Sequence, residues 1–540
     1  MKNNNKKLMI FLAIVVVIFS FGIVHKEFQN DTFFNIAIGR HLLENGIDMK
    51  EHFTWAADNL YYSHSHWIFD ILMYAIFNFT GFTGIHIFTL LFTAITGLTL
   101  FILLSRRSKS PVISFIVTLI CMYIARDAFT ARSQVISFLF FIIEIYCIEK
   151  LIETNNRKYA IYLIASGIIV ANFHAATWPL MLVLFMPYFA AAFLNSISFK
   201  TKNKNKIKKL EKKLETINPE SKEAQNIQEK INECQKYLRE NDAPYAEYKI
   251  IRRKYYNVKT LLIVFILVTL TGLITPIHGT PYTYIIKSMF GESNFETGSS
   301  MEYILEMQPT IPIASLPFLI FTILIIGFIT FLPTKIKTEH GFLLAGLYVM
   351  ALSSNRYSFL LVFIGAYVLN ELITNATNIL IKDDIESLEK LLSTKKACIV
   401  LASLAIIFTS CNMLDYLKVD YINEELYPIG AVEYIKENLD YKNIRIYNSY
   451  NYGSYLMLND IPVFIDSRLD VYCSEFNDTD IFYDYVQISN GTCHYDEVFD
   501  KYDFTHILLY SSDIIVPYIK EDISYNTLYE DEYFILLEKK

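Results

Sequence analysis

The feature that most constrains this chain is a series of long apolar blocks that recurs from its first residues to residue 413. A helix needs about 20 mostly apolar residues to cross a bilayer, so blocks of this kind are typical of membrane spans. About eleven blocks are present, several of them short, near residues 8–24, 84–104, 111–126, 134–148, 159–172, 178–196, 259–275, 313–333, 341–353, 357–374 and 397–413. The pattern predicts a mainly α-helical fold, a polytopic membrane protein with about 11 spans.

The composition also indicates a membrane protein and excludes an ordinary soluble enzyme. Hydrophobic residues make up 53% of the 540-residue chain, and charged residues only 19%. The first block follows several lysines, as in a signal peptide, but only a weak cleavage site comes after it. We therefore interpret it as an uncleaved first span. The net charge is −7 at pH 7, and we expect no nucleic-acid partner.

The connections between the blocks alternate in charge, which predicts their orientation. Basic residues gather in every second connection, as in Arg106-Arg107-Lys109 and Lys395-Lys396. Because basic connections stay in the cytoplasm, the N-terminus is expected there and the remaining connections face outward. The apolar stretch Trp67–Phe79 is short, and we place it as a helix that lies on the outer membrane surface or dips into it, since counting it as a span would reverse this order. The expected location is the cell membrane.

Two regions do not have the pattern of membrane spans. Residues 199–258 hold 16 Lys and Arg against 9 Asp and Glu. They carry two narrow apolar seams broken at Asn218-Pro219, which predicts a charged helical hairpin in the cytoplasm. Residues 414–540 hold 25 Asp and Glu against 9 Lys and Arg, and they predict a small extracytoplasmic α/β domain.

The expected organisation therefore has four units. They are 1–198 with a first external loop at 25–83, the insertion 199–258, the membrane region 259–413 with an external loop at 276–310, and the domain 414–540. In the last unit we predict a helix over Pro428–Leu439, with strands at Ile444–Tyr447, Val463–Ile465, Ile507–Tyr510 and Tyr533–Leu537.

Polar side chains gather at the outer ends of the predicted spans. Ionisable groups beside a membrane are costly and are usually kept for a function. Asp31 opens the first external loop, and the other candidates are Arg40, His66, Arg132, His174, His278, Glu306 and Arg356. An arginine is suited to bind a phosphate, and a carboxylate is suited to accept a proton from a hydroxyl group. Together they fit a substrate with a phosphate head and a lipid tail.

Several motifs resemble those of the GT-C superfamily of polytopic membrane glycosyltransferases, and more closely a group of poorly characterised bacterial membrane proteins with that fold. The resemblance covers nearly the whole chain outside 199–258, and it depends on the order of the motifs. They are Asp31 to Arg40 with Glu44-Asn45-Gly46, Arg132-Ser133-Gln134, Ala171-Asn172-Phe173-His174, Thr275-Pro276-Ile277-His278-Gly279, Glu306-Met307-Gln308-Pro309, Asn355-Arg356, Asn451 to Leu456, and Val463 to Arg468.

The resemblance implies a transferase that moves a sugar from a polyprenyl-phosphate-linked donor to a glycan or protein acceptor of the cell envelope. Asp31 matches the acidic residue that the superfamily requires in its first external loop, and we expect it to act as general base. Arg132 or Arg356 would hold the lipid phosphate, and the anomeric carbon would be inverted. Some relatives use a divalent cation at this position, although the sequence contains no dedicated set of ligands.

The C-terminal motif has two interpretations. Asp466 and Arg468 follow a predicted strand end, where α/β domains often bind ligands, and Tyr450, Tyr452 and Tyr455 could stack on sugar rings. Alternatively, Asp466 and Arg468 pair with each other and the tyrosines belong to the core. Cys473 and Cys493 could form a disulfide if the domain is extracytoplasmic.

Two other functions are compatible with the sequence. One is a transporter or flippase of lipid-linked sugars, which should show internal repeats and polar groups in the middle of the membrane. We find no convincing repeat, and the charges cluster at the ends of the spans. The other is a non-catalytic membrane protein that binds glycans through its acidic domain.

Overall fold

The computed structural model describes residues 2–108, 110–196, 199–217, 221–240, 250–251, 257–295, 299–416 and 418–540. Within these ranges the chain is mainly helical and carries a small sheet near its C-terminus. Seven helices come first: α1 (Lys2–Phe21), α2 (Asn30–Asn45), α3 (Trp67–Ser108), α4 (Pro111–Ile124), α5 (Gln134–Thr154), α6 (Arg157–Phe173) and α7 (Trp178–Ser196).

The next region contains two helices that pack on each other, α8 (Phe199–Leu214) and α9 (Lys222–Glu240), and a short strand, β1 (Ile250–Ile251). Ile207 of α8 contacts Ile227 and Ile231 of α9 in a small apolar cluster of their own. The apolar seams of the sequence therefore form the contact between the two helices. The predicted turn at Asn218-Pro219 lies outside the described residues.

The second helical region runs to residue 416. It contains α10 (Val258–Thr271), α11 (Thr280–Phe290), α12 (Leu316–Phe331), β2 (Ile336–Lys337), α13 (Thr338–Ser353), α14 (Tyr357–Leu380), α15 (Lys382–Leu392) and α16 (Lys395–Tyr416). The strand β2 pairs in parallel with β1. Single turns of 3₁₀ helix lie at Arg126–Ala128, Ala175–Thr177 and Ser300–Tyr303.

Each apolar block of the sequence falls largely within one of these helices. By length and composition, four described segments can cross a membrane: Trp67–Ser108, Ala175–Leu194, Tyr357–Leu380 and Lys395–Leu414. Three shorter apolar helices, α4, α10 and α12, accompany them. The chain is therefore a helical membrane protein, and the number of about 11 spans stays a prediction.

Helix α3 is bent at Gly81, whose φ of 63° and ψ of −157° are not helical. The bend divides it into a segment that begins at Trp67 and the longer apolar segment after the glycine. Glycine tolerates this positive φ because it has no Cβ atom. The short stretch Trp67–Phe79 and the apolar block at 84–104 are thus consecutive parts of one bent helix.

Helix α2 differs from the expectation of an external loop after Asp31. Residues 30–45 are helical, and Thr32 to Gly39 are all buried. The helix ends where the Gly46 N–H donates to the Leu42 carbonyl, with Gly46 at φ 84°, so the Asn45-Gly46 motif is a helix C-terminus. A Cβ at Gly39 would lie 2.0 Å from the Asp70 carbonyl oxygen, so glycine is required for α2 to approach α3.

After residue 418 the chain forms a small α/β unit, which we call the C-terminal unit. It contains α17 (Ile429–Asn438), β3 (Ile446–Tyr447), α18 (Gly453–Leu458), α19 (Leu469–Tyr472), α20 (Ile481–Ser489), α21 (Tyr495–Tyr502), β4 (His506–Tyr510), α22 (Val516–Glu521), β5 (Tyr525–Glu530) and β6 (Phe534–Lys539). The strand order is β3-β4-β6-β5, with β3 parallel to β4 and the other pairs antiparallel.

One predicted strand, Val463–Ile465, is not part of this sheet. Instead, Val463 forms an isolated bridge with Thr54, because the Trp55 N–H donates to the Val463 carbonyl and the Val463 N–H donates to the Phe53 carbonyl. The apolar residues 463–465 therefore join the C-terminal unit to the segment after α2. Strand β5 was not predicted, since most of its side chains are exposed or half-buried and no apolar run marks it. Cys473 and Cys493 are both free thiols.

Helix α2 packs between the helical bundle and the C-terminal unit. On one side, the ring of Phe33 meets Phe82 of α3 and Tyr427 and Tyr455 of the C-terminal unit. On the other side, Phe34 and Ile38 belong to the core of the C-terminal unit. Burial of both faces stabilises a helix whose sequence is too polar for a membrane span.

Candidate functional site

A cavity of about 630 Å³ lies where the start of α2, the connections of the bundle and the C-terminal unit meet. It contains seven of the residues predicted from sequence: Asp31, His66, Arg132, His174, Glu306, Arg356 and Arg468. These positions are spread over more than 430 residues of sequence, and the fold brings them to one place because each lies at or near the end of an element. We describe them from the membrane side to the C-terminal unit.

Asp31 lies in the first turn of α2, where the helix dipole stabilises a negative charge. Its Oδ2 is 2.5 Å from Nη2 of Arg132, the residue just before the N-cap of α5. Nη1 of the same guanidinium donates to Oε1 of Glu306 at 2.7 Å. Arg132 therefore holds two carboxylates from two other parts of the chain, and we call these three residues the Arg132 cluster.

The ion pairs of the Arg132 cluster shift the pKa of Arg132 and the pKa of Glu306 toward their charged forms. Burial lowers the pKa of Arg132, but the carboxylates of Asp31 and Glu306 outweigh burial and raise the pKa above its ordinary value. Burial raises the pKa of Glu306, but the guanidinium groups of Arg132 and Arg356 outweigh it and hold the pKa below its ordinary value. Arg132 and Glu306 are therefore both charged at neutral pH, and both line the cavity.

Arg356 differs from the other two cavity arginines. It precedes α14, and its backbone N–H donates to the Glu306 carbonyl at 3.0 Å. Among the described residues, no carboxylate oxygen lies within 4.0 Å of its guanidinium nitrogens. Its charge nevertheless influences the pKa of Glu306, His66 and His174. Arg356 thus presents a cation to the cavity that no carboxylate of the described chain neutralises by direct contact.

His66 and His174 are neutral imidazoles. Burial, followed by the charges of Arg356 and Arg132, lowers the pKa of His66 to about 3. Burial, the His66 ring and the same two arginines hold the pKa of His174 well below its ordinary value. The two rings are 4.9 Å apart, and Nδ1 of His174 is 2.9 Å from the Ser137 hydroxyl. These histidines can offer hydrogen bonds, but they cannot serve as cations for a phosphate.

A second arginine with two carboxylates closes the cavity from the side of the C-terminal unit. Arg468 Nη1 is 2.5 Å from Glu51 Oε2, and its Nη2 is 2.6 Å from Asp466 Oδ2. The side chains of all three residues are no more than 1% exposed. The Tyr472 hydroxyl donates to Asp466 and is 2.8 Å from Thr54 Oγ1. We call Arg468, Glu51 and Asp466 the Arg468 cluster.

The C-terminal unit also contributes Tyr450, one of the three tyrosines that the sequence offered for stacking on a sugar, and Asp470, which the sequence did not single out. Tyr450 donates from its hydroxyl to the Ser467 carbonyl at 2.8 Å, and its own carbonyl accepts from Asn30 at 2.8 Å. Asp470 accepts from the Ser63 hydroxyl at 2.6 Å, and burial raises its pKa above the ordinary value. Asp470 lies two residues after the Asp466-Ser467-Arg468 motif, and this closeness could have marked it as a site residue. Tyr485 and Tyr303 also line the cavity, but no sequence motif marks them.

Four predicted residues do not line this cavity, and their expected roles are corrected here. Arg40 pairs with Asp460 and lines a separate cavity of about 220 Å³. His278 is exposed on a connection, with φ 52°. Tyr452 is buried in the core, where its hydroxyl donates to the Leu508 carbonyl at 2.5 Å, so its ring cannot stack on a sugar. Asp466 is fully buried against Arg468, as the second interpretation of the motif expected.

The residues beside Asp31 do not fit a dedicated divalent-cation site. Both Asp31 and Glu306 direct a carboxylate oxygen to Arg132, which occupies the space between them. In the described ranges, no group of three His, Cys, Asp or Glu side chains gathers its ligand atoms around Asp31.

Comparison with known proteins identifies the fold. No family model matches this sequence, and no curated protein matches it either. The oligosaccharyltransferase AglB from Archaeoglobus fulgidus, in complex with an inhibitory peptide and a dolichol-phosphate, is similar with a TM-score of 0.53 at 11% identity. The match covers 93% of this chain and 69% of that chain.

The apo form of the same oligosaccharyltransferase gives a TM-score of 0.53 at 10% identity, over 94% of this chain and 69% of that chain. ArnT from Cupriavidus metallidurans bound to undecaprenyl phosphate matches 98% of this chain and 97% of that chain at 9% identity, but its TM-score of 0.45 is too low to support an argument. The AglB matches confirm the fold that the sequence motifs implied. This chain has the fold of the GT-C polytopic membrane glycosyltransferases.

Proposed function

We propose that this protein is an integral-membrane glycosyltransferase. It would take a sugar from a polyprenyl-phosphate-linked donor and transfer it to a cell-envelope acceptor, a glycan or a protein, on the outer face of the membrane. In this proposal the cavity faces outward, and the hairpin α8–α9 lies in the cytoplasm. The four units expected from sequence, 1–198, 199–258, 259–413 and 414–540, are part of the same proposal.

The observation that carries the proposal is the unpaired guanidinium of Arg356. Three arginines lie in the cavity wall, and two of them each hold two carboxylates. Arg356 has no carboxylate partner in the described chain, so its five N–H donors are available to a ligand. A planar guanidinium binds phosphate through paired, charge-assisted hydrogen bonds. We assign to Arg356 the phosphate of the lipid-linked donor.

Arg132 offers a second contact for the same phosphate. The Arg132 side chain is 15% exposed and that of its Glu306 partner 46%, so the ion pair borders the cavity and is accessible to solvent. An anionic phosphate placed beside Arg356 would attract Arg132 as well and weaken its hold on Asp31. The carboxylate of Asp31 would then be free to accept a proton.

The transfer step follows from these positions. An acceptor hydroxyl attacks the anomeric carbon of the donor sugar, forming the new glycosidic C–O bond, and Asp31 accepts the hydroxyl proton as general base. The bond between the anomeric carbon and the phosphate oxygen breaks, and its electron pair leaves with the polyprenyl phosphate. Arg356 stabilises the charge that develops on this leaving group. Attack opposite the leaving group inverts the anomeric centre.

Two further observations support the proposal. The fold neighbour AglB was solved with a dolichol-phosphate and an inhibitory peptide, so its structure holds a lipid phosphate together with a peptide. The C-terminal unit supplies Tyr450, Asn451 and Asp470 to the cavity wall of the present chain. These polar and aromatic groups are suited to hydrogen-bond and stack on an acceptor, and we assign them to that substrate.

Binding of a polyprenyl phosphate to the purified protein tests the assignment of Arg356. The expected result for Arg356→Gln is about 10- to 100-fold weaker binding, since a hydrogen-bonded charge contributes roughly 1.5–3 kcal/mol. Arg126→Gln is the matched control, because Arg126, like Arg356, lies in a connection between two helices but pairs with Asp127 and does not line the cavity. Equal affinity of wild type and Arg356→Gln would refute the assignment.

The same protein preparations separate an enzyme from a transporter. Asp31→Asn removes the general base but leaves Arg356 in place, so an enzyme should lose transfer while retaining lipid-phosphate binding. A flippase should move its lipid equally well with either residue, because lipid movement requires no proton acceptor. Retained lipid movement without any transferred sugar in the wild type would favour the transporter.

A further inference from the structure

A second cluster of chemically active side chains lies at the opposite end of α2 from Asp31. His41 is in the last turns of the helix, and Asp48 and His52 follow it in the next segment. Their ligand atoms all lie within 4.8 Å of one another. His52 Nε2 is 2.6 Å from Asp48 Oδ2, and the imidazoles of His41 and His52 stack at 4.6 Å. None of the three lines the cavity that holds Asp31.

The local structure holds these side chains in position for a ligand. Asn45 lies 3.2 Å from Nδ1 of His41 and orients the ring, while Nε2 of His41 is buried and has no hydrogen-bond partner in the described chain. The Lys50 N–H donates to Oδ1 of Asp48 at 3.1 Å, which leaves Oδ2 directed at His52. These contacts fix the orientation of the His41 ring and of the Asp48 carboxylate.

The backbone between the residues also favours a fixed arrangement. Gly46 ends the helix with φ 84°, and Met49 has φ 58°. Two reversals in the chain thus bring Asp48 and His52 back beside His41. The segment then forms a short antiparallel bridge between Lys50 and Tyr61, so the cluster lies at the base of an ordered turn.

We propose that His41, Asp48 and His52 bind a divalent transition metal of the Zn²⁺ class. Two imidazoles and one carboxylate are the ligands that Zn²⁺ accepts in sites with three protein ligands, with water in the fourth position. Imidazole-rich sites select Zn²⁺ and related ions, whereas Mg²⁺ and Ca²⁺ require oxygen ligands. The site is separate from the transferase cavity and does not depend on the function proposed for it.

The position of the site gives the metal a structural consequence. His52 directly follows Glu51, which holds Arg468 of the C-terminal unit. His41 belongs to α2, which begins with Asp31 at the cavity. A metal bound to both imidazoles would link the end of α2 to the segment that carries Glu51. Metal binding should therefore stabilise the contact between the bundle and the C-terminal unit.

Zn²⁺ binding by the full-length protein tests the proposal. The chain is purified in detergent with a tag free of histidine, stripped with EDTA and dialysed against Zn²⁺, and bound metal is measured by mass spectrometry. We expect about one Zn²⁺ in the wild type that is bound at least about tenfold more weakly in His52→Ala and in Asp48→Asn. His25→Ala is the matched control, because His25 pairs with Asp127 at 3.3 Å as an exposed His–Asp pair without a third ligand.

Two readouts on the wild type make the test independent of how the variants fold. Co²⁺ in place of Zn²⁺ should give the intense visible absorption of a four-coordinate site, and Zn²⁺ should raise the thermal midpoint more than Mg²⁺ does. Variants that bind Zn²⁺ as tightly as the wild type would overturn the proposal. A wild type that shows no Co²⁺ absorption and no difference between Zn²⁺ and Mg²⁺ would overturn it as well.

Discussion

The Arg132 cluster and the Arg468 cluster have the same composition but different surroundings. Each consists of one arginine between two carboxylates, and the arginine of each cluster lines the same cavity. In the Arg132 cluster, the exposed fractions of Arg132, Asp31 and Glu306 are 15%, 22% and 46%. In the Arg468 cluster, no side chain exceeds 1%.

The difference in exposure separates a group that can react from one that holds the fold. Water reaches the Arg132 cluster, so an incoming anion can replace a carboxylate partner without stranding a charge in the protein interior. The Arg468 cluster is sealed, and removing its arginine leaves two buried carboxylates without a cation, which is strongly destabilising. In the proposed function, the same ion-pair chemistry allows ligand exchange in the Arg132 cluster and attaches the C-terminal unit through the Arg468 cluster.

Removal of each arginine gives the largest expected contrast in stability. Arg468→Met should lower the free energy of unfolding by about 3–5 kcal/mol, because Glu51 and Asp466 remain buried without a cation. Arg132→Met should lower it by about 1 kcal/mol or less, because its partners can be hydrated. Denaturant titration in detergent measures both values. Equal losses in the two variants would show that exposure does not distinguish the clusters.

Removal of one carboxylate from each cluster gives an intermediate effect. Glu51→Gln should cost about 1–3 kcal/mol of stability, since Arg468 loses one buried, charged partner. Glu306→Gln should change stability by less than about 1 kcal/mol, since the Glu306 carboxylate is nearly half exposed. The comparison uses the same chemical change at both sites. A larger loss for Glu306→Gln than for Glu51→Gln would contradict the assignment of the two roles.

The pH dependence of stability should show a smaller effect at His64, which lies beside the Arg468 cluster. Burial and then the charge of Arg468 lower the pKa of His64 to about 3, whereas in the unfolded chain it is near 6.5. Between these values only the unfolded chain binds the proton, so stability is lost as the pH falls below about 6.5. His64→Asn should remove roughly 1 kcal/mol of the loss between pH 7.5 and 5.5. Asparagine suits the φ of 43° at this position.

Unfolding midpoints of wild type and His64→Asn at the two pH values provide the measurement. His494→Asn is the control, because His494 is exposed and pairs only with Asp496. An identical pH dependence in wild type and His64→Asn would contradict a neutral, buried His64.

The sequence predicted the helices because membrane helices are marked by a local property, the length of an apolar run. It predicted many of the cavity residues for a related reason, since residues at the ends of alternate spans must meet at one end of the bundle. Helix α2 was expected to be a loop, because its stability comes from packing between two bodies rather than from an apolar run. Gly46, a residue that typically ends helices, was the sequence feature that could have indicated this helix.

The pairing of Glu51 with Arg468 could not be predicted, because the two residues are far apart in sequence and no local pattern marks Glu51 as the partner of the Arg468 motif. Tyr452, in contrast, does lie in a distinctive local motif. Its place in a motif suggested contact with a ligand, but the motif does not state which face of the C-terminal unit the ring occupies. The burial of the ring decides between a ligand contact and a place in the core, and this burial depends on the packing of elements that are distant in sequence.

The central claim is that the cavity around Asp31 transfers a sugar, and mass spectrometry of cell-envelope glycans tests it most directly. Cells lacking the protein are compared with cells that carry wild type, Asp31→Asn or Asp127→Asn, the last being an exposed acid of an outer connection that pairs with His25. We predict a glycan that disappears on deletion, returns with wild type and Asp127→Asn, and falls by about 10²- to 10⁴-fold in rate of formation with Asp31→Asn at equal protein level. Full restoration of that glycan by Asp31→Asn would contradict the account.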